Sequence, residues 1–137
     1  MVKEPPGEYE IQELLLAVGI SPNNIGFRYI AHSLQLIMSN EAYLHHVTKL
    51  LYIDVAGKFN TSSGNVEKNI RHSIAKAWTH NGKGFREMLF LNCLKENKSI
   101  PSNSQFLARL YFYLTNNNNN KIAWFSRECF GTLFSCA

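Results

Sequence analysis

Between Lys58 and Arg86 the cations Lys58, Lys68, Arg71, Lys76, Lys83 and Arg86 stand against one carboxylate, Glu67. Ammonium and guanidinium groups gathered in this way pair with phosphates, and a guanidinium fork can also donate to guanine O6 and N7. A carboxylate among them can accept from cytosine N4. The chemistry offered is therefore that of a nucleic-acid surface. The formal net charge of +4 understates it, because Glu4, Glu8, Glu10 and Glu13 gather near the start opposite Lys3 alone. A solvated helix face is the competing reading of such a cluster, so the elements that carry it must decide.

Other chemistries find little support. His32, His45, His46, His72 and His80 show no HExxH spacing and no neighbouring nucleophile pattern, which leaves no catalytic residue to name and no enzyme to expect. Cys93, Cys129 and Cys136 form an odd set without CxxC spacing, so neither a metal site nor a disulfide framework is expected, nor any cofactor. No basic leader followed by an apolar stretch opens the chain, and no run approaches the roughly 20 apolar residues that span a bilayer. The expectation is a cytoplasmic protein without a membrane partner.

The 137 residues, 45% of them hydrophobic, suffice for one core. Residues 1–9, with Pro5, Pro6 and Gly7, read as a flexible lead-in. From Glu10 the apolar positions Ile11, Leu14, Leu15 and Val18 recur at helical spacing, and Gly19 follows as a C-terminal stop. Ile30, Leu34, Ile37 and Met38 mark a second helix, and Leu44, Val47, Leu50 and Leu51 the buried face of a third. A short turn of helix from Tyr52 to Phe59 places Val55, Ala56 and Phe59 inward, and Asn60 ends it.

The helix predicted over 63–79 is the most informative element. Val66, Ile70, Ile74, Ala77 and Trp78 fall on one side at 100° per residue, while Asn65, Lys68, Arg71, His72, Ala75 and Thr79 collect on the other. Thr61, Ser62 or Ser63 can cap it. Further on, Phe85, Met88, Leu89 and Leu91 to Leu94 suggest another short helix. Ser102-Asn103-Ser104-Gln105 is a capping box opening a last helix with Phe106, Leu107, Leu110 and Leu114 on its buried stripe. The asparagines 116–120 suggest a linker, and residues 121–137, with Trp124, Phe125, Phe130 and Phe134, are apolar enough to dock on the domain or a neighbouring chain. The fold expected is an all-α, compact bundle of about six helices over residues 10–115. Tyr52–Phe59, residues 60–62 and the helix 63–79 make a helix-turn-helix within it.

The string LLYIDVAGKFNTSSGNVEKNIRHSIAKAW resembles the DNA-binding effector domain of the sporulation master response regulator of spore-forming bacteria. The likeness extends to IGFRYI at 25–30 and PSNSQF at 101–106, covering residues 11 to about 114. It implies a transcription regulator that binds short promoter boxes on duplex DNA, often as tandem copies. A homodimer on such sites and a contact to RNA polymerase would be its protein partners. By motif position Glu67, Lys68 and Arg71 match the family's base-reading residues, and Asn65 matches a further basic contact. With these, Lys58, Ser62, Ser63 and His72 complete the expected DNA-binding set. Lys68 stands where the family has arginine, and an ammonium lacks the planar two-donor fork. Asn65 replaces a cation and would favour adenine if it reads a base. Only a short polar lead-in precedes residue 11, so the reading is of an effector domain without the family's receiver. A module that antagonises the full-length regulator by protein contact is the alternative.

Overall fold

The computed structural model of the chain describes residues 7–80 and 100–119. Its helices are α1 (Glu8–Val18), α2 (Ile25–Ser39), α3 (Ala42–His45), α4 (Tyr52–Phe59), α5 (Ser63–His80) and α6 (Asn103–Asn119), and a π-helical turn, Val47–Leu51, runs straight into α4. No strand occurs among the described residues, and the architecture is the all-α bundle that the apolar periodicity predicts. The helix expected around Phe85 to Leu94 and the apolar tail lie outside the described residues.

Local chemistry sets most of the boundaries. α1 starts at Glu8, two residues before the expected Glu10, because the Gly7 amide donates to the Glu10 carboxylate at 2.5 Å. It stops at Gly19, whose φ of 99° lets its amide and that of Ile20 turn back to the Leu15 carbonyl. α6 opens on the predicted capping box: the Gln105 amide donates to Ser102 Oγ at 3.1 Å, and the Ser102 amide donates to Gln105 Oε1 at 3.0 Å. It then runs through Asn119, so Asn116 to Asn119 continue the helix where composition suggests a linker. Each residue added to a formed helix gains a hydrogen bond, and asparagine's propensity deficit is only about 0.7 kcal/mol at most.

Leu50 corrects the reading of the third stripe. It is 41% exposed, whereas Val47 and Leu51 are buried. In the π turn the Leu51 amide bonds the His46 carbonyl five residues back, which widens the turn and brings Val47 and Leu51, not Leu50, onto one face. Leu44 and Phe59 are half-buried against the core.

The core gathers around α2, which packs against α1, α3, α4, α5 and α6. Ile30, Leu34 and Ile37 of α2 are buried with Ile11 and Leu15 of α1, Ile70 and Ile74 of α5, and Phe106 and Leu107 of α6. The α2–α5 approach is close enough to require glycine at one point. A Cβ on Gly26 would overlap Ser73 Oγ and stand 2.6 Å from the Asn69 carbonyl of α5. This contact fixes how far α5 stands from the bundle, and hence how its outer face projects.

Candidate nucleic-acid interface

The turn between α4 and α5 is built from Asn60, Thr61 and Ser62. Asn60 takes the left-handed conformation, φ 57° and ψ 50°, which asparagine tolerates better than most side chains. The Thr61 amide returns to the Ala56 carbonyl at 2.9 Å, closing α4. Ser62 is the cap of α5: its Oγ accepts from the Asn65 amide at 3.1 Å, and its carbonyl accepts from the Val66 amide. The expected succession of helix, tight turn and helix is thus present, and α5 extends one residue past 79 to His80.

α5 divides cleanly. Val66, Ile70, Ser73, Ile74, Ala77 and Trp78 are buried, while Ser63, Lys68, Arg71, His72, Lys76 and Thr79 are exposed. Lys58, at the end of α4, is exposed beside the turn. Arg71 and Glu67 lie one helical turn apart, and Arg71 Nε donates to Glu67 Oε2 at 2.9 Å, with Nη2 3.4 Å from Oε1. The Glu67 hydrogen bond and charge raise the Arg71 pKa further above its already high ordinary value, so the guanidinium stays cationic and oriented. Their side chains are 55% and 38% exposed, so the pair orients the guanidinium more than it stabilises the fold.

Residues 11–114 match the family described as sporulation initiation factor Spo0A C terminal. The chain belongs to that family. It is a DNA-binding domain of the sporulation transcription-factor type, and the family is not an enzymatic one. No group of metal-ligating side chains occurs among the described residues, and no described helix is long and apolar enough to cross a membrane.

Within this Spo0A-type domain, Asn65 departs from its expected place among the outward-facing side chains. It is half-buried, with Nδ2 donating to Thr61 Oγ1 at 2.9 Å and lying 3.4 Å from the Tyr29 hydroxyl. Its Oδ1 accepts from Asn69 Nδ2 at 3.0 Å, so the amide braces the turn against α2. Asparagine can do this because it is short and both donates and accepts, which a longer cation cannot.

Three supporting residues escaped sequence reasoning. Tyr29 packs edge-on to Phe59, ring centroids 5.2 Å apart, while its hydroxyl meets Asn65, so one side chain of α2 holds both sides of the turn. Asn103, buried at the start of α6, donates to the Tyr52 hydroxyl at 2.9 Å and to the Glu67 carbonyl at 3.2 Å. It joins α4, α5 and α6 directly behind the Glu67–Arg71 pair, where burial raises the Tyr52 pKa. Gly26 is the third. Its single signal was the IGFRYI stretch shared with the family, which gives no partner for it.

Proposed function

We propose that the domain reads duplex DNA sequence-specifically by inserting α5 into the major groove. The observation that carries this reading is the division of α5: one face is locked to α2 and α6 by apolar burial, and the other presents Lys68, Arg71 and His72 to solvent. A major groove about 12 Å wide admits such a helix. In this reading Arg71, held by Glu67, donates to a guanine edge. Lys68 offers a single-point contact to a neighbouring base, and Glu67 can accept from a cytosine amino group. Lys58, Ser63 and His72 meet phosphates, and the Ser62 cap sets the entry angle of α5. Asn65 contributes by bracing the turn, since reaching a base would break the hydrogen bonds that now occupy its amide.

Tandem boxes occupied by two copies, and a contact to RNA polymerase, belong to the same proposal. The test begins with selection of duplexes from a random pool by the purified protein. Binding isotherms on the selected site and on a scrambled duplex, over a salt series, then follow. Each neutralised phosphate contributes roughly −0.9 to the slope of log K against log salt, so a steep decline and a clear preference for the selected site are expected. A flat salt response, or equal affinity for both duplexes, would refute the reading. A two-box duplex adds a check on copy number: simple one-to-one saturation there removes the tandem proposal and leaves base reading intact.

A further inference from the structure

Beside the turn lies a cationic edge of which the contacts above use Lys58 alone. α2 carries no Asp or Glu between Ile25 and Ser39, and Arg28, His32 and Gln35 fall within about 60° of one another at 100° per residue. Arg28 is exposed, and His32 and Gln35 are half-buried. The His32 ring stands edge-on to Phe59 with centroids 5.9 Å apart, next to Lys58, whose charge acts on it. Asp54, one turn before Lys58, accepts instead from the Tyr43 hydroxyl, and among the described residues neither Arg28 nor Lys58 has a carboxylate partner. Tyr29, on the same helix, reaches Asn65, and both Tyr29 and His32 meet the Phe59 ring, so α2 runs beside the turn between α4 and α5.

We propose that Arg28 and His32 of α2, together with Lys58 of α4, form a second contact surface that grips the DNA backbone phosphates flanking the box read by α5. The inference rests on the DNA reading above. In a helix-turn-helix the first helix crosses the backbone while the second enters the groove, so the element packed beside both lies next to flanking phosphates. A patch of uncompensated cations beside a neutral imidazole matches that partner, because each phosphate attracts the two full charges and can recruit a third. The groups facing His32 are Gln35 on its own helix and Phe59 and Lys58 on α4. Burial, with a smaller part from Lys58, lowers its pKa below the ordinary value, and the Gln35 hydrogen bond opposes this. A phosphate drawn to Lys58 would offset the repulsion and favour the imidazolium, so DNA binding should take up a proton at His32.

The experiment compares wild type, Arg28→Ala, His32→Asn and Arg71→Ala by fluorescence anisotropy on the selected duplex and a scrambled one. The salt series is repeated between about pH 5.5 and 7.5, around the ordinary histidine pKa. Circular dichroism melts establish that each variant is folded. Arg28→Ala is expected to weaken both duplexes several-fold alike and to make the salt slope shallower by about 0.9. His32→Asn is expected to remove part of the rise in affinity seen as pH falls, leaving the preference for the selected site unchanged. If Arg71→Ala weakens the selected site while Arg28→Ala and His32→Asn match wild type in affinity, slope and pH dependence, the flanking surface is refuted and the α5 reading stands. If wild type binds neither duplex, both fall.

Discussion

Ile70 and Arg71 are neighbours in the chain and opposites in the molecule. Ile70 is fully buried between α5 and the core, and Arg71 stands in solvent with its guanidinium held by Glu67. The same division runs the length of α5. Its inner flank meets Gly26 of α2 with no room for a methyl group, and the start of α6 is tied to it through Asn103. Its outer flank carries Lys68, His72 and Lys76, all exposed. Rigidity on one side is what gives the other side its use, because base edges are discriminated only by donors held in a fixed position.

The sharpest way to break this comparison is to damage the inner flank. Ile70→Ala should cost about 2–5 kcal/mol of folding stability through lost burial and the cavity left behind, measured by urea denaturation. A loss under about 1 kcal/mol would mean that α5 is not anchored as described. Gly26→Ala should cost about 1–3 kcal/mol by forcing α2 and α5 apart. Adding Ser73→Gly should recover only part of that, because the Asn69 carbonyl still stands 2.6 Å from the new Cβ. Full recovery would show that the side chain alone sets the spacing.

On the outer flank the expectation reverses. Arg71→Ala should leave the denaturation midpoint where it is and weaken the selected duplex roughly 10- to 100-fold, in line with the worth of a bidentate base contact. Equal losses on selected and scrambled DNA would reassign Arg71 to a phosphate. Lys68→Arg is the finest test, since it keeps the charge and changes only the donor geometry. It should sharpen discrimination at one base pair by a few-fold without altering the salt slope; uniform tightening across single-base variants would make Lys68 a backbone contact.

Much of this was legible in the chain. The Gly19 stop and the Ser102–Gln105 box rest on interactions spanning three to five residues, so residue type and spacing suffice to find them. The same reasoning narrows the α5 cap to Thr61, Ser62 or Ser63, of which Ser62 is the one that caps. The two faces of α5 follow from a 100° step, and the matching string names the family. Boundaries were harder. The π turn shifted Leu50 out of the core, and the growing helix carried α6 into the asparagines.

The supports of the interface belong to another class. The Asn103–Tyr52 bond joins positions 51 apart in the chain, and the Asn103–Glu67 and Asn65–Tyr29 contacts each join positions 36 apart. An asparagine in the first turn of a helix can cap, face solvent or brace a neighbour with equal local cost, so sequence alone placed Asn65 outside with the cations. Once α2 and α5 meet at Gly26, the Tyr29 hydroxyl and Thr61 come within reach and draw the amide inward. The sequence by itself determined the apolar stripes of the main helices, the Gly19 stop, the Ser102–Gln105 box and which face of α5 carries charge, because these depend on near neighbours. Only the tertiary structure decided which polar side chains hold that face still, because their partners come together only when the helices pack.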